Sequence, residues 1–370
     1  MGNQLLSIMH GQYLEMSRLE IQSAKGAYEV KIGSNLLSEL SSENSIVLAD
    51  SAVKQYIPIN FERVITLEAG ENTKTLQTCE YVIEQLKILG ANRKTNLIAV
   101  GGGYIQDIST LAASLYMRGI NWQYVPTTAM AILDSCIGGK SSINSGNFKN
   151  LIGNIYPPTG VLIDLEVTKS LNPIAKACGL SEAIKICYAR GQKEFISFVD
   201  LYANFEELNS ANGERLIEHV LKTKQWFIEE DEFDTGIRQL LNFGHTFGHA
   251  LEAATGFSVP HGIAVSLGML AALNFDEGSK GQPEEKLSVG IWKILQPVRN
   301  EISTQVKTFD EKGFKNAFSG DKKHTESKFK LILSSNGKLR VQEIERNSEN
   351  LEKALLVIER VMEDLSKNEE

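Results

Sequence analysis

Three of the chain's six histidines fall within seventeen residues, at His245, His249 and His261. The first two stand four apart in Asn242-Phe243-Gly244-His245-Thr246-Phe247-Gly248-His249. On a helix an i, i+4 pair shares one face. Imidazole is the commonest metal ligand and the side chain that titrates nearest neutrality. A lone pair at this spacing more often simply packs. Here Arg238 and Asn242 precede it at helical spacing, and His261 opens an apolar segment at Pro260-His261-Gly262. A continuous helix from Arg238 to Ala254 would turn all of that polar chemistry one way, which predicts a site.

Cations gather around it. In Gly179-Leu180-Ser181-Glu182-Ala183-Ile184-Lys185 a carboxylate and an ammonium stand three apart, a spacing that alone reads as a surface helix pair. Lys224, Arg238 and Lys322-Lys323 add positive charge. The polar residues are densest in Met117-Arg118-Gly119, Pro126-Thr127-Thr128, Asp134 to Lys140 and Lys149-Asn150, which lack apolar periodicity and predict a polar binding loop. Lys140 and Lys149 would act there as point charges for phosphate. An acidic chain that concentrates cations at one place predicts a small, multiply charged anion as substrate. A second feature is the strand-like Asn96–Val100 running into Gly101-Gly102-Gly103 and a helix, where backbone can approach a pyrophosphate at a helix N-terminus. Gln106 takes the last place of GxGxxG, so the fingerprint is imperfect. Asp107 follows. Asp50 at a strand end, with Glu71 and Lys74, are ribose contacts or solvated charges.

The elements that must position these groups divide near residue 172. Residues 45–50, 64–67, 96–100 and 122–125 read as strands, and 73–89 and 105–117 as amphipathic helices. That alternation predicts an α/β domain with a largely parallel sheet over 19–172. From 173 to 370 helical periods dominate, at 182–190, 213–230, 238–254 and 261–274, with a hairpin turning at Asn336-Gly337 and a polar C-terminal helix. Residues 1–18 read as an extension that lacks order and is no secretory signal.

A chain of 370 residues is long enough for two cores. A formal charge of −8 argues against nucleic acid as a partner. The apolar run from Gly262 to Phe275 is too short for a bilayer and predicts a core helix. Cys79, Cys136, Cys178 and Cys187 have no CxxC spacing, so reduced thiols and a cytoplasmic location are expected.

Taken in order, Gly101-Gly102-Gly103, Tyr116 to Gly119, Val125 to Thr128, Asp134 to Lys140, Lys149-Asn150, Leu241 to His249 and His261-Gly262 resemble the sugar phosphate cyclases, specifically the 3-dehydroquinate synthase family, across roughly residues 19 to 345. The resemblance implies a Rossmann-like nucleotide-binding domain joined to a mostly α-helical metal-binding domain. It implies NAD⁺ and zinc, with cobalt suiting the same ligands, and Glu182, His245 and His261 as the metal's ligands. His249 then contacts substrate phosphate. Asp134, Lys185, Lys224 and Arg238 would hold hydroxyls and carboxylate. Lys140, Asn150, Asn242, His249 and Lys322 or Lys323 would hold phosphate, with Lys149 nearby. Asp50, Glu71, Lys74, Gly101 to Gly103, Asp107, Thr127, Thr128, Asp134, Lys140 and Lys149 would line the cofactor. Arg118 would reach a neighbouring subunit's site, implying a homodimer. The family reaction turns 3-deoxy-D-arabino-heptulosonate 7-phosphate into 3-dehydroquinate and phosphate through transient oxidation, elimination, reduction and an intramolecular aldol.

Several positions depart from the family pattern. Gln106 and Thr110 stand where glycine is usual, Ala52 for asparagine, Ser141-Ser142 for Thr-Gly or Thr-Ala, Ile263 for glutamate, and Ile174-Ala175 for Arg-Glu. These bear on cofactor affinity and leave open a sister cyclase acting on a modified substrate such as the amino analogue. A polyol or glycerol dehydrogenase would share the two-domain plan without needing Lys224, Arg238 and Lys322-Lys323. A non-catalytic binding protein would have little reason to keep Glu182, His245 and His261.

Overall fold

A computed structural model of the chain describes residues 16–146, 148–276 and 281–367. Most of the expected N-terminal extension, residues 1–15, lies outside the described residues, while Ser17 and Arg18 already belong to β1 (Ser17–Ile21). That strand pairs antiparallel with β2 (Tyr28–Gly33). The other sheet strands are β3 (Ser45–Asp50), β4 (Val64–Leu67), β5 (Asn96–Gly101), β6 (Asn121–Pro126) and β9 (Gly160–Asp164). All pair in parallel, in the order β1-β2-β9-β6-β5-β3-β4. Strands β3, β5 and β9 are apolar runs buried along nearly their whole length, as expected for a sheet covered on both faces. The winding reverses between β3 and β5, so a crevice opens at their carboxyl ends, the usual place for a ligand in an open α/β sheet.

Helix α1 (Leu76–Ile88) follows β4, and α2 (Gly103–Leu115) follows β5 directly, so its N-terminus faces that crevice. The segment expected to be a polar loop is ordered. Residues Ala131–Ser135 form one π-helical turn, and β7 (Lys140–Ser145) pairs with β8 (Phe148–Ile155) as a separate antiparallel hairpin. This corrects the sequence reading. The hairpin's polar side chains alternate against buried Ser141 and Ile143, and the turn at Gly138 and Gly139 uses positive φ.

Beyond the sheet, α3 (Pro173–Arg190) begins with Asn172 capping Ala175 N at 2.8 Å and proline in the first turn. It is buried continuously from Ala177 to Tyr188 and forms the axis of the helical half. Around it lie α4 (Gln192–Ala203), α5 (Ala211–Glu230), α6 (His245–Ala254), α7 (His261–Phe275), α8 (Gln282–Leu295), α9 (Arg299–Gln305) and α10 (Glu311–Ser319). Helix α7 is buried on every side from Gly262 to Leu273, the expected core helix. The hairpin of β10 (Lys328–Ser335) and β11 (Lys338–Glu345) turns at Asn336 and Gly337, both at positive φ. The closing helix α11 (Ser348–Ser366) is amphipathic, with Ala354, Ile358, Val361 and Leu365 buried. Among the described residues no helix is long and apolar enough to cross a membrane.

The continuous helix expected from Arg238 to Ala254 is broken. Ile237–Asn242 is a 3-10 turn, Phe243 is extended, and Gly244 sits at φ 79° before α6 begins at His245. Arg238 and Asn242 therefore do not share a helical face with the histidines.

Candidate active site

Glycines bring the histidines together. A Cβ on Gly248 of α6 would stand 2.9 Å from the Ala264 carbonyl of α7, and one on Gly268 of α7 only 2.1 Å from the Gly244 carbonyl. The two helices thus touch backbone to backbone, with no side chain holding them apart. The three imidazoles end with ring centroids 5.2 Å apart for His245–His249 and 5.4 Å for each of the pairs with His261. One nitrogen from each ring lies within 4.8 Å of the others.

Helix α3 adds Glu182, buried at 1% exposure. Its Oε2 accepts the Lys185 ammonium, so the pair that alone reads as a surface ion pair is a core one. Its Oε1 is buried, has no hydrogen-bond partner, and lies 3.7 Å from His261 Nε2. Such an orphaned carboxylate oxygen calls for a cation. Two imidazole nitrogens and this oxygen are a donor set that suits zinc or cobalt. The ring orientations agree with that use. Glu252 Oε2 lies 3.0 Å from His261 Nδ1, and Phe243 O lies 3.3 Å from His245 Nδ1, which frees the Nε2 atoms for a metal. Burial and the Lys185 charge hold His245 well below 6.5, so it is neutral at pH 7 as a ligand must be. Burial opposes charge on His261 too, but the hydrogen bond and charge of Glu252, with Glu182, raise it above 6.5.

The π-helical turn presents Asp134 to this cluster, a common use of such turns. Lys224 of α5 pairs with Asp134 Oδ1 at 2.6 Å and also donates to the Asp134 and Ile137 carbonyls. Burial works against the charged carboxylate, but Lys224 and Lys185 overcome it and hold Asp134 down to about 2. Gln106 of α2 braces the same turn, donating to Ser135 O and accepting from Ser135 Oγ, each at 2.6 Å. Arg238, buried at 4% exposure, donates to Glu232 O at 2.6 Å and lies so close to Gly138 that a Cβ there would meet its Nη2 at 2.4 Å.

A cavity of about 880 Å³ opens between the sheet and the helical half, walled by Gly103, Gln106, Asp107, Lys140, Asn150 and Lys322 among others. At its sheet side Asp107 pairs with Lys74 at 2.6 Å and accepts from Ser142 N at 2.9 Å, which ties α2 to the β7–β8 hairpin. Burial holds Asp107 above its ordinary 3.8 despite Lys74. Lys74 also donates to Asn150 Oδ1 at 3.1 Å. Gly102 lies against Thr128, where a Cβ would come within 2.7 Å, and Thr127 N donates to Gly101 O. Glu71 accepts from Asn144 at 2.8 Å and faces Lys149 at 4.0 Å, while the Lys149 ammonium sits 3.5 Å over the Phe257 ring. Asp50 caps Ala52 N at 3.0 Å at the end of β3.

The structure gathers Glu182, Lys185, His245, His249 and His261 on one side, with Asp134, Lys224 and Arg238 beside them. Lys140, held by Asp234 at 2.6 Å, shares the cavity wall with Asn150 and Lys322. Lys323 pairs with Asp321 at 3.4 Å and bears electrostatically on His245 and His249. Asn242 donates to Gln239 O on its own turn. Arg118 stands apart, exposed on a tight turn with Met117 and itself at positive φ. Glu252, Asp234, Asp321 and the Gln106–Ser135 brace escaped the sequence reading. Glu252 had a signal, since it lies three beyond His249 on the same helical face.

Family models describe this arrangement of motifs. The 3-dehydroquinate synthase N-terminal model matches residues 64–177 and its C-terminal model residues 179–324. The 3-dehydroquinate synthase of Methylacidiphilum infernorum is 34% identical over 334 residues, covering 85% of this chain and 90% of that protein. The 3-dehydroquinate synthase of Saccharolobus solfataricus is 35% identical over 311 residues, covering 80% and 86%. Among solved structures, a 2-deoxy-scyllo-inosose synthase superposes with a TM-score of 0.75 at 25% identity, over 91% of this chain and 98% of that one. Matched in both halves and along most of its length, the chain is an enzyme, a lyase, and belongs to the 3-dehydroquinate synthase family.

Proposed function

We propose that the chain converts 3-deoxy-D-arabino-heptulosonate 7-phosphate into 3-dehydroquinate and phosphate, a shikimate-pathway step toward aromatic amino acids, as a cytoplasmic homodimer using NAD⁺ and zinc. The observation that carries this reading is the orphaned Glu182 Oε1, buried beside three converging imidazoles and flanked by cations. Glu182, His245 and His261 would hold the metal, leaving His249 to face the substrate. When bound, zinc supplies Lewis acidity to an alcohol oxygen, and NAD⁺ accepts and returns a hydride.

The chain's own residues bind and orient. Asp134 and Lys224, 2.6 Å apart, offer one acceptor and one donor to neighbouring hydroxyls, with Lys185 beside them. Arg238 has the planar fork that fits a carboxylate, and it is held in place by burial against Gly138. Lys140, Asn150, Asn242 and His249 would take the phosphate. Lys322 joins them in preference to Lys323, because Lys322 walls the cavity with Lys140 and Asn150. Gly101 to Gly103, Asp107, Lys74, Thr127, Thr128, Glu71, Asp50 and Lys149 would seat the cofactor along the β3–β5 crevice. The exposed Arg118 on its strained turn supports a contact across a dimer.

A second reading has its own observation. Gln106 fills a cavity wall where the family pattern has glycine, and this departure leaves room for a sister cyclase acting on a modified substrate such as the amino analogue. The test is phosphate release from the heptulosonate 7-phosphate with catalytic NAD⁺ and zinc, with the product identified by mass. Many turnovers per NAD⁺ giving dehydroquinate are expected. No phosphate from it, but release from the amino analogue, would replace the first reading with the second.

A further inference from the structure

We propose that Lys25, on the turn between β1 and β2, is a phosphate-binding residue of the cavity and acts with Lys322. The inference rests on the sugar-phosphate reading and deepens it. Four charged side chains line the cavity: Lys25, Asp107, Lys140 and Lys322. Asp107 is neutralised by Lys74 and Lys140 by Asp234, each at 2.6 Å. Lys25 and Lys322 have no carboxylate partner among the described residues. The cavity therefore keeps two uncompensated positive charges. A phosphate monoester carries close to two negative charges at neutral pH, and with Lys140 held by Asp234 the two free ammonium groups of Lys25 and Lys322 match that charge.

The turn that carries Lys25 is exposed but pinned at the end of α5. Glu232 accepts from Ser23 Oγ at 2.6 Å and from Ala24 N at 2.8 Å, and Glu229 accepts from Gln22 N at 3.0 Å. The carbonyl of the same Glu232 receives Arg238. Residues far apart in sequence are thereby fastened to one support, with Lys25 next to the pinned Ala24. The Lys25 ammonium lies 4.2 Å from the Tyr156 ring centroid, and Tyr156 is itself fixed through its hydroxyl to Ile120 O and its carbonyl to Trp122 Nε1. A cation held over an aromatic face is oriented without being neutralised, which leaves its charge for a ligand.

The experiment is calorimetric titration of the full-length, NAD⁺-loaded protein with inorganic phosphate, comparing the parent with Lys25→Met, Lys25→Arg and Lys322→Met. Lys25→Met is expected to weaken phosphate about tenfold, the scale of one charge-assisted hydrogen bond. Lys25→Arg should restore most of it, and NAD⁺ affinity should be unchanged in all. Phosphate affinity in Lys25→Met equal to the parent's would overturn the proposal. Turnover of the sugar phosphate is scored separately. A parent that binds phosphate through Lys25 yet does not turn over the heptulosonate phosphate would remove the substrate reading and leave the lysine's role standing.

Discussion

Replacing Lys224 by methionine tests whether the Asp134 pair is held by charge. The methionine keeps the length of the buried stem and removes the ammonium that sits 2.6 Å from Asp134 Oδ1. In the fold Asp134 lies at about 2 against an ordinary 3.8, with Lys224 the largest cause opposing burial. At about 1.4 kcal/mol per pH unit, that depression corresponds to about 2 kcal/mol of stability at pH 7. A depressed carboxyl stabilises the fold above its unfolded value, and the contribution disappears as pH falls from about 4 through about 2. Lys224→Met should therefore cost about 2 kcal/mol at neutral pH and move the midpoint of acid unfolding upward. The assay is urea unfolding of the parent, Lys224→Met, Asp134→Asn and the double variant at pH 7. The cycle should return a coupling of about 2 kcal/mol. Additive single effects, with an acid midpoint unmoved in Lys224→Met, would refute the account.

Two other substitutions probe supports of the site. Glu252→Ala removes the acceptor on His261 Nδ1 and should weaken zinc about tenfold to a hundredfold in chelator competition; unchanged affinity would show that the ring is oriented otherwise. Gln106→Leu and Ser135→Ala each break the reciprocal brace under the Asp134 turn, so the double variant should cost clearly less stability than the sum of the singles. Strict additivity in thermal unfolding would mean that the two side chains act independently.

Much of the site was legible because it is written in local spacings. His245, His249 and the glycine run of β5–α2 are short-range patterns, and their helix and strand contexts follow from periodicity. What failed was contiguity. The periodicity from Arg238 to Ala254 looked unbroken, yet Gly244 at φ 79° ends one turn and starts another helix, so Arg238 reaches the site from a different direction. The β7–β8 hairpin was hidden because its inward residues include Ser141, which carries no apolar signal. Strands β1, β2 and β9 also went unread, and the pairing of β2 with β9, from opposite ends of the sheet's sequence, is one that no local pattern carries. Pairings such as Asp234 with Lys140 or Glu232 with the β1–β2 turn depend wholly on tertiary approach. No spacing within one sequence encodes them.

The backbone contact between α6 and α7 bears on how the metal site behaves when empty. Interfaces separated by side chains relax by exchanging rotamers, and they settle inward when a bound group leaves. Gly248 and Gly268 have no rotamers, and the carbonyls opposite them are fixed by their own helices. The distance between His245 and His261 is thus inherited from main-chain stiffness. Withdrawal of an ion is therefore expected to leave the two imidazoles in place, so that reloading would demand little reorganisation. Tolerance to substitution should follow the same divide, because the helix contact admits nothing larger than hydrogen.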